Sequence, residues 1–208
     1  MAKNPIDPTE FFNRYTTKGK DPMIIQLKNV RLAFPDIWKP TAFEEGQELK
    51  YGATFLIAKT DPQHKMVEAA IKEVAAAEWK TKATALLESI KGTPQKYCYN
   101  DGDTGTRASY DGYKGHMALS SKNKKRPTIV DSDKTPLTEA DEKPYGGCYV
   151  NASVELWAQT GKHAGMRCSL RGIQFVKDGD AFTAGSVASD DEFEDLGDGA
   201  NAGDDDLA

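Results

Sequence analysis

Alternation of apolar and polar residues predicts β-strands early in the chain. In "MIIQLKNVRLAF" (23–34) the inward apolar set reaches Leu27, slips by one residue, and continues from Val30 to Phe34. A one-residue slip of this kind indicates a β-bulge. The next candidate, "YGATFLIA" (51–58), is apolar on both faces. That pattern is typical of a central strand covered on both sides.

After this strand the apolar spacing changes to the 3.6-residue period of a helix. Thr60 or Asp61 can cap its N-terminus, and Pro62 suits the first turn. Helical residues continue to Gly92, with a break predicted near residues 79–81. The apolar stripe of this helix consists of Val67, Ile71 and Val74.

The segment from Tyr97 to Pro127 has a different composition, rich in glycine, tyrosine and basic residues. Only a short strand, around Lys114–Ser120, is predicted within it. A connection of this length in a compact domain is usually functional or disordered. The segment is therefore a candidate for ligand contact.

Two strong strands end the patterned part of the chain. They are "CYVNASVELWAQ" (148–159) and "GMRCSLRGIQFVKDG" (165–179), joined as a hairpin by "TGKHA". A shorter strand, "PTIVD" (127–131), precedes them. About five strands with one helical excursion predict a mainly β protein, and a small OB-fold-like β-barrel is the architecture that fits best.

The pattern divides the chain into three parts. An extended N-terminal arm covers residues 1–22, the OB-fold-like domain covers 23–185, and a disordered acidic tail covers 186–208. Aromatic residues in the arm can dock on the domain or on a neighbouring subunit, so self-association and cooperative assembly stay open. These arm residues are Phe11, Phe12 and Tyr15.

The hairpin has two chemically different faces, because strand side chains alternate. One face of the first strand is apolar throughout and is a core face. The other face places Tyr149 and Trp157 among polar groups, and simple pairing puts Arg167 and Arg171 on the same surface. Gly172 permits a bulge in the second strand.

Flat aromatic rings beside guanidinium groups suit single-stranded nucleic acid. Bases stack on the rings, at roughly 1–3 kcal/mol per base, while the cations bind phosphates. The structural alternative is that Trp157 packs beneath the long loop and Glu155 pairs with Arg167. The hairpin therefore predicts a nucleic-acid surface, with a purely structural role for Trp157 as the competing interpretation.

Further basic and aromatic groups extend this candidate site. Interleaving of tyrosines with cations indicates a clamp over a nucleic-acid strand, although "KNKKRP" (122–127) taken alone is compatible with a solvated turn. The first strand adds two cations near its polar side. The loop residues are Arg107, Tyr110, Tyr113, Lys114, Lys122, Lys124, Lys125 and Arg126, and the strand residues are Lys28 and Arg31.

The net charge of −5 conceals a strong asymmetry. Without the nine carboxylates after residue 188, 23 acidic residues face 27 basic ones, so the rest of the chain is +4. Such asymmetry points to nucleic-acid binding, with a solubility tail as the alternative. The tail can imitate phosphates in a basic groove, and its apolar residues can anchor a partner. The residues concerned are Asp190, Asp191, Glu192, Phe193, Glu194, Asp195, Leu196, Asp198, Asp204, Asp205, Asp206 and Leu207.

Enzymatic interpretations find less support in the sequence. Asp101, Asp103 and Asp111 resemble a calcium loop, but an EF-hand counted from Asp101 would need Gly at Thr106 and Glu at Gly112. No nucleophile–base spacing or phosphate-binding loop is present. We expect no catalytic residue, metal or cofactor. A metal-dependent nuclease built from those dispersed carboxylates remains one alternative, and an acidic adaptor or DNA mimic is the other.

Cysteine use and hydropathy limit the setting. Cys98, Cys148 and Cys168 are odd in number and widely spaced, so we expect reduced, buried thiols and no zinc site. No apolar run approaches the ~20 residues that span a bilayer. The N-terminus lacks the apolar core of a secretory signal. These features predict a cytoplasmic protein that does not contact membranes, in the host bacterial cytoplasm if a phage encodes it.

The hairpin and tail together resemble a family of bacteriophage single-stranded DNA-binding proteins. The resemblance lies in "PYGGCYVNASVELWA", "GKHAGMRCSLRGIQFVKDGD" and the upstream "YGATFLIAKTDP", and it covers residues 23–182. It implies an OB-fold that binds single-stranded DNA during phage replication or recombination. It also implies an acidic tail that contacts partner proteins and competes with DNA.

Two features depart from that family pattern. The tail finishes "DDDLA", without a terminal aromatic residue. The predicted helix follows the second strand, earlier than usual in an OB-fold. We therefore expect a modified barrel topology.

Overall fold

The computed structural model describes residues 22–42 and 46–182. Within these ranges seven strands form one sheet, and two α-helices follow the second strand. The elements are β1 (Met23–Thr41), β2 (Lys50–Ala58), α1 (Pro62–Trp79), α2 (Ala83–Ile90), β3 (Tyr99–Asp101), β4 (His116–Asn123), β5 (Thr128–Val130), β6 (Tyr149–Gln159) and β7 (Gly165–Lys177).

The sheet order is β3-β4-β2-β1-β6-β7-β5, with β5 parallel to β7 and the other pairs antiparallel. A short segment brings the two sides of this sheet together. The Cys98 N–H donates to the Met166 carbonyl (3.1 Å), and the Ser120 N–H donates to the Cys98 carbonyl (2.9 Å). Cys98 therefore lies between β7 and β4, and the sheet curls into a partly open barrel, as in an OB-fold.

The predicted bulge in β1 is confirmed. Its register against β6 shifts between Leu27 and Val30, and Asn29 adopts a positive φ of 50°. Leu27 and Val30 are both buried. The bulge thus returns the apolar residues to the barrel interior after the slip in the sequence.

The position of β2 also agrees with its sequence. It lies between β1 and β4, and its residues 52–57 are all buried. Phe55 faces the main core, whereas Leu56 faces outward into a small second cluster with Tyr113 and Ala118. Both faces of β2 are therefore covered, which explains its uninterrupted apolar sequence.

Helix α1 closes one side of the barrel. Asp61 caps it, since its Oδ1 accepts from the Gln63 N–H at 2.8 Å. Gln63 in turn bonds both backbone groups of Lys28 at the bulge (2.7 and 2.9 Å). At the other end, the Trp79 indole N–H donates to the Gln159 carbonyl (3.3 Å). The helix thus joins β1 to the end of β6.

Two further sequence predictions are confirmed, and one segment is more regular than predicted. The helix break is confirmed as a short 3₁₀ turn at Lys80–Lys82, and the bulge near Gly172 is confirmed by the register shift in β7. The segment from Tyr97 to Pro127 is more regular than predicted, because it contains β3 as well as β4. Residues 1–21 and the predicted tail (186–208) lie outside the described residues. Among the described residues no helix is long and apolar enough to cross a membrane.

Candidate nucleic-acid interface

A cleft of about 770 Å³ opens on the outer surface between β4 and β7. We call it the β4–β7 cleft. Lys122 and Lys124 line it from the β4 side, and Trp157 and Arg167 line it from the hairpin. The structure therefore brings together four residues that the sequence placed in three separate segments.

Trp157 is the aromatic side chain of this cleft. It is 42% exposed, and its indole N–H donates to Ser169 Oγ on the neighbouring strand (3.0 Å). That bond orients the ring on the outer face of the hairpin, opposite Arg167 in the register. The alternative in which Trp157 packs beneath the long loop is wrong, since the ring keeps a large exposed surface.

Arg167 is held at the mouth of the cleft by neutral partners. Its Nε donates to Gln159 Oε1 (2.9 Å), and an Nη donates to the Gln95 carbonyl. The alternative pairing with Glu155 is wrong, because Glu155 approaches Arg171 instead (3.9 Å). Arg167 therefore keeps its positive charge uncompensated by these contacts, in a fixed orientation.

The β4 side carries both signs of charge. Lys124 Nζ lies 2.5 Å from Glu48 Oε1, and Lys50 Nζ lies 3.7 Å from the other oxygen. The hydrogen bond from Lys124 keeps the pKa of Glu48 below its ordinary value. Glu48 is thus an ionised carboxylate that competes for Lys124 with any anion entering the cleft.

Two cysteines line the deeper part of the cleft. Burial raises the pKa of the Cys98 thiol to about 12 and that of Cys168 well above its ordinary value. Thiols with such pKa values stay protonated and are poor nucleophiles. The predicted reduced and buried state is confirmed for all three cysteines, Cys148 included.

A second aromatic group lies on the same outer surface, and we call it the Phe34 patch. Tyr113 is buried against Leu56, and its ring centroid lies 5.4 Å from that of Tyr110. The Phe34 ring centroid lies 5.3 Å from that of Tyr110, in an edge-to-face arrangement. Tyr110 is 43% exposed and Phe34 55%. The predicted loop tyrosines thus differ, since Tyr113 supports the patch and Tyr110 faces solvent.

Phe34 was expected in the inward set of β1, and that expectation is wrong. A second irregularity in β1, between Ala33 and Asp36, turns the side chain outward and gives Phe34 a φ of 47°. Pro35 is the signal in the sequence, because proline marks bulges and edges within strands. The interface residue Glu48 was also missed, since an isolated Glu carries no pattern.

Tyr149 and Arg31 lie at the far end of the hairpin. Arg31 donates to the carbonyls of Gly147 (3.1 Å) and Asp180 (2.6 Å), and its guanidinium lies 4.4 Å from the Phe182 ring centroid. The Tyr149 ring has Lys177 Nζ at 4.5 Å from its centroid. These groups contact the segment that follows β7, and they do not line the β4–β7 cleft.

The other predicted cations are dispersed. Lys28 lines a separate depression of about 200 Å³, and Lys114 lies near Asp103. The guanidinium of Arg126 lies over the Trp38 ring (5.4 Å to its centroid). The remaining three lie outside the cleft as well: Arg107 beside Tyr113, Lys125 after β4, and Arg171 at 3.9 Å from Glu155.

The acidic group considered for a nuclease is already neutralised in part. Lys59 Nζ lies 2.6 Å from Asp101 Oδ1 and 2.7 Å from Asp103 Oδ2. These hydrogen bonds lower the pKa of both carboxyls and raise that of Lys59. Within residues 22–42 and 46–182, no group of three His, Cys, Asp or Glu side chains is placed to hold a metal ion.

Comparisons with known proteins show the family of this chain. A family model described as the Enterobacter phage Enc34 ssDNA-binding protein matches residues 23–207. Putative protein p50 of Acyrthosiphon pisum secondary endosymbiont phage 1 is 45% identical over 176 residues, which cover 84% of this chain and 94% of p50.

Two solved structures of the Enc34 protein are also similar to this chain. The Enc34 protein in complex with ssDNA is 25% identical, with a TM-score of 0.66, over 81% of this chain and 98% of that one. A second structure of the Enc34 protein is 24% identical, with a TM-score of 0.64 over 86% and 98% of the two chains, and shares the fold. The resemblance found in the sequence is confirmed, and the chain belongs to the Enc34 family of phage ssDNA-binding proteins.

Proposed function

We propose that this protein binds single-stranded DNA through the β4–β7 cleft, without catalysing a reaction. The observation that carries the proposal is the exposed Trp157 ring beside Arg167 and two lysines in one cleft. Membership of the Enc34 family supports the same ligand, because the 25% identical Enc34 protein has been solved in complex with ssDNA. Phage DNA replication or recombination is the setting in which such a protein acts.

The chemistry of the cleft favours binding that is largely independent of sequence. A base of any identity has a flat face that can stack on an indole ring. Arginine and lysine bind phosphates, which are the same at every nucleotide. Duplex DNA hides its base faces within the stack, so the exposed ring favours single strands.

The geometry around Lys59 argues against the nuclease alternative. A metal-dependent nuclease needs carboxylates that are free to bind a cation. Asp101 and Asp103 instead share the Lys59 ammonium at hydrogen-bonding distance. We therefore favour a binding protein over an enzyme.

We further propose that the acidic tail competes with DNA and recruits partner proteins. Phe182 packs against the small outer cluster that contains Tyr113, and its ring lies 4.4 Å from the Arg31 guanidinium, so the chain leaves the domain on the outer surface near the Phe34 patch. Asp190 is eight residues further along and lies at most about 28 Å from Phe182. When DNA displaces the carboxylates, Phe193, Leu196 and Leu207 become available as apolar anchors for a partner.

A binding titration tests the proposal. Fluorescence anisotropy of labelled oligo(dT) and of a matched duplex would be followed with the full chain and with a chain ending at Val187. We expect preference for the single strand. The logarithm of the binding constant should fall with the logarithm of the salt concentration, with a slope near −0.7 per phosphate neutralised. We also expect tighter binding by the shortened chain, most clearly at low salt, because salt screens the competing carboxylates.

Each part of the proposal can fail separately. If neither chain binds oligo(dT), DNA binding is rejected and the adaptor alternative is favoured. If both chains bind equally well, the tail does not compete. Cleavage of either oligonucleotide in magnesium or manganese would replace the binding protein with the nuclease.

A further inference from the structure

We propose that Phe34, with Tyr110 beside it, is a second base-stacking position on the same DNA path as Trp157. This inference rests on the proposed function and adds to it a residue that lies in another strand, on the far side of β2 from the cleft. It makes the interface an extended track with an aromatic position at each end.

The conformation of Phe34 is the first observation. Its φ of 47° lies in the left-handed region, which is unfavourable for a bulky residue, and 55% of its side chain is exposed. Backbone strain and exposed apolar surface both oppose stability. Strained residues of this kind are concentrated at ligand-binding sites, where the surrounding structure holds them in place.

The Phe34 patch is supported from below. Tyr113, 3% exposed, contacts both exposed rings, with centroids 5.4 Å from Tyr110 and 6.2 Å from Phe34. Gly102 lets the Tyr113 backbone pack closely against the segment after β3, because a Cβ there would lie 2.4 Å from the Tyr113 carbonyl oxygen. The two exposed rings are thus held before any ligand arrives, which lowers the entropic cost of binding.

The patch is continuous with the β4–β7 cleft. The Tyr113 side chain lies beside Thr54, and Thr54 Oγ1 lies 3.3 Å from Ser120 Oγ. Ser120 itself lines the cleft, as does Lys122 two residues further along β4. From Ala118, beneath the patch, to Lys122 the strand advances about 13 Å. Small side chains cover this stretch, so a DNA strand can lie across it.

Charge at the patch also fits DNA. Arg107 lies near Tyr113, in the 3₁₀ turn that leads to Tyr110. The Tyr110 N–H donates to the Arg107 carbonyl (3.0 Å), so the backbone of the turn holds both residues at the patch. A guanidinium beside exposed rings can bind the phosphate of a base stacked there.

The test compares Phe34→Asn with Phe34→Tyr. Asparagine tolerates the left-handed region and removes the ring, so F34N should fold with a melting temperature at or above that of the wild type. F34Y keeps a ring at the same position and is the matched control. Affinities would be measured by anisotropy for oligo(dT) of about 4 to 16 nucleotides, the range of site sizes of OB-folds.

We expect F34N to bind the longest oligonucleotide at least about fivefold more weakly, the lower end of base–aromatic stacking. The shortest oligonucleotide should bind as it does to the wild type, because it occupies the more cationic β4–β7 cleft alone. F34Y should stay within about twofold of the wild type at every length.

Three results would overturn the inference. F34N could bind every length like the wild type. Its loss could disappear in a chain ending at Val187, which would make the tail the occupant of the patch. Light scattering could show that F34N dissociates an oligomer, which would make a second copy the occupant. If Trp157→Ala weakens binding while F34N does not, only this inference fails; if the wild type binds no oligo(dT), the proposed function fails with it.

Discussion

The two ends of the β6–β7 hairpin carry similar residues and make different contacts. Tyr149 lies opposite Lys177 at one end, and Trp157 lies opposite Arg167 at the other, about 26 Å away along the strand. Each pair combines an aromatic ring with a cation on the outer face. One end is covered by the segment after β7, whereas the other opens into the β4–β7 cleft.

This difference shows how neighbours decide the role of a surface pair. Arg31 and Phe182 cover the Tyr149 end, so the cation there contacts rings of the protein itself. At the Trp157 end the neighbouring strand is β4, separated from β7 by the short segment at Cys98. Because that gap is not filled by side chains, the ring and the cations stay accessible to a ligand.

The largest expected effect is on DNA affinity at the open end. Trp157→Ala should weaken oligo(dT) binding by about 1–3 kcal/mol, or roughly 5- to 150-fold, because one stacking platform is lost. Tyr149→Ala should change affinity far less. Trp157→Phe, which keeps a ring, should recover much of the loss in the same anisotropy titration. Equal losses for the alanine variants at the two ends would show that both ends bind DNA.

At the closed end the expected effect is on stability. Arg31→Ala removes two hydrogen bonds and two ring contacts, and should lower the free energy of unfolding by about 1–2 kcal/mol, since one bond is solvent-exposed. Urea denaturation measures this. Trp157→Ala is the matched comparison and should cost less. If R31A folds and loses much of its DNA affinity, Arg31 binds DNA, as the sequence predicted.

A smaller gain is expected from Glu48→Gln. The substitution removes a charge that pairs with Lys124 in the cleft, so Lys124 becomes free for a phosphate. Affinity for oligo(dT) should rise by roughly two- to threefold at low salt. The salt dependence of the binding constant on a log–log plot should be steeper by up to about 0.7. Glu139→Gln, which breaks an ion pair with Lys39 outside the cleft, is the control. An equal gain in both variants would indicate a general charge effect.

The smallest expected effect is on the acid sensitivity of the Lys59 site. The pKa values of Asp101 and Asp103 are lower in the folded protein than in the unfolded chain. Their stabilisation is therefore present above the unfolded value of about 4 and is lost as pH falls through the folded values. Thermal melts between about pH 7 and pH 2.5 should show a shallower acid decline for Lys59→Met. An unchanged decline would show that these ion pairs are too exposed to contribute.

The sequence predicted the framework because its signals are local. The bulge before Val30, the cap at Asp61 and the helix break after Trp79 each depend on a few neighbouring residues. The hairpin faces follow from strict alternation. The family resemblance was carried by the same strands and is confirmed by the comparisons.

The candidate site was predicted only in part. Trp157, Arg167, Lys122 and Lys124 were identified by residue type, and they line one cleft. Arg31 and Tyr149 matched the same criteria and lie elsewhere. Phe34 was assigned to the core, because the alternation was continued past the second bulge in β1, which Pro35 marks.

The sequence by itself determined the strands other than β3, the main helix, most of the apolar faces and the types of chemistry available on the polar faces. These follow from periodicity and side-chain chemistry, which act over a few residues. Only the tertiary structure decided which polar residues meet, because closure of the sheet at Cys98 places β4 beside β7, although they are distant along the chain. It also decided that Phe182 returns to Arg31 and covers one end of the hairpin while the other end stays open.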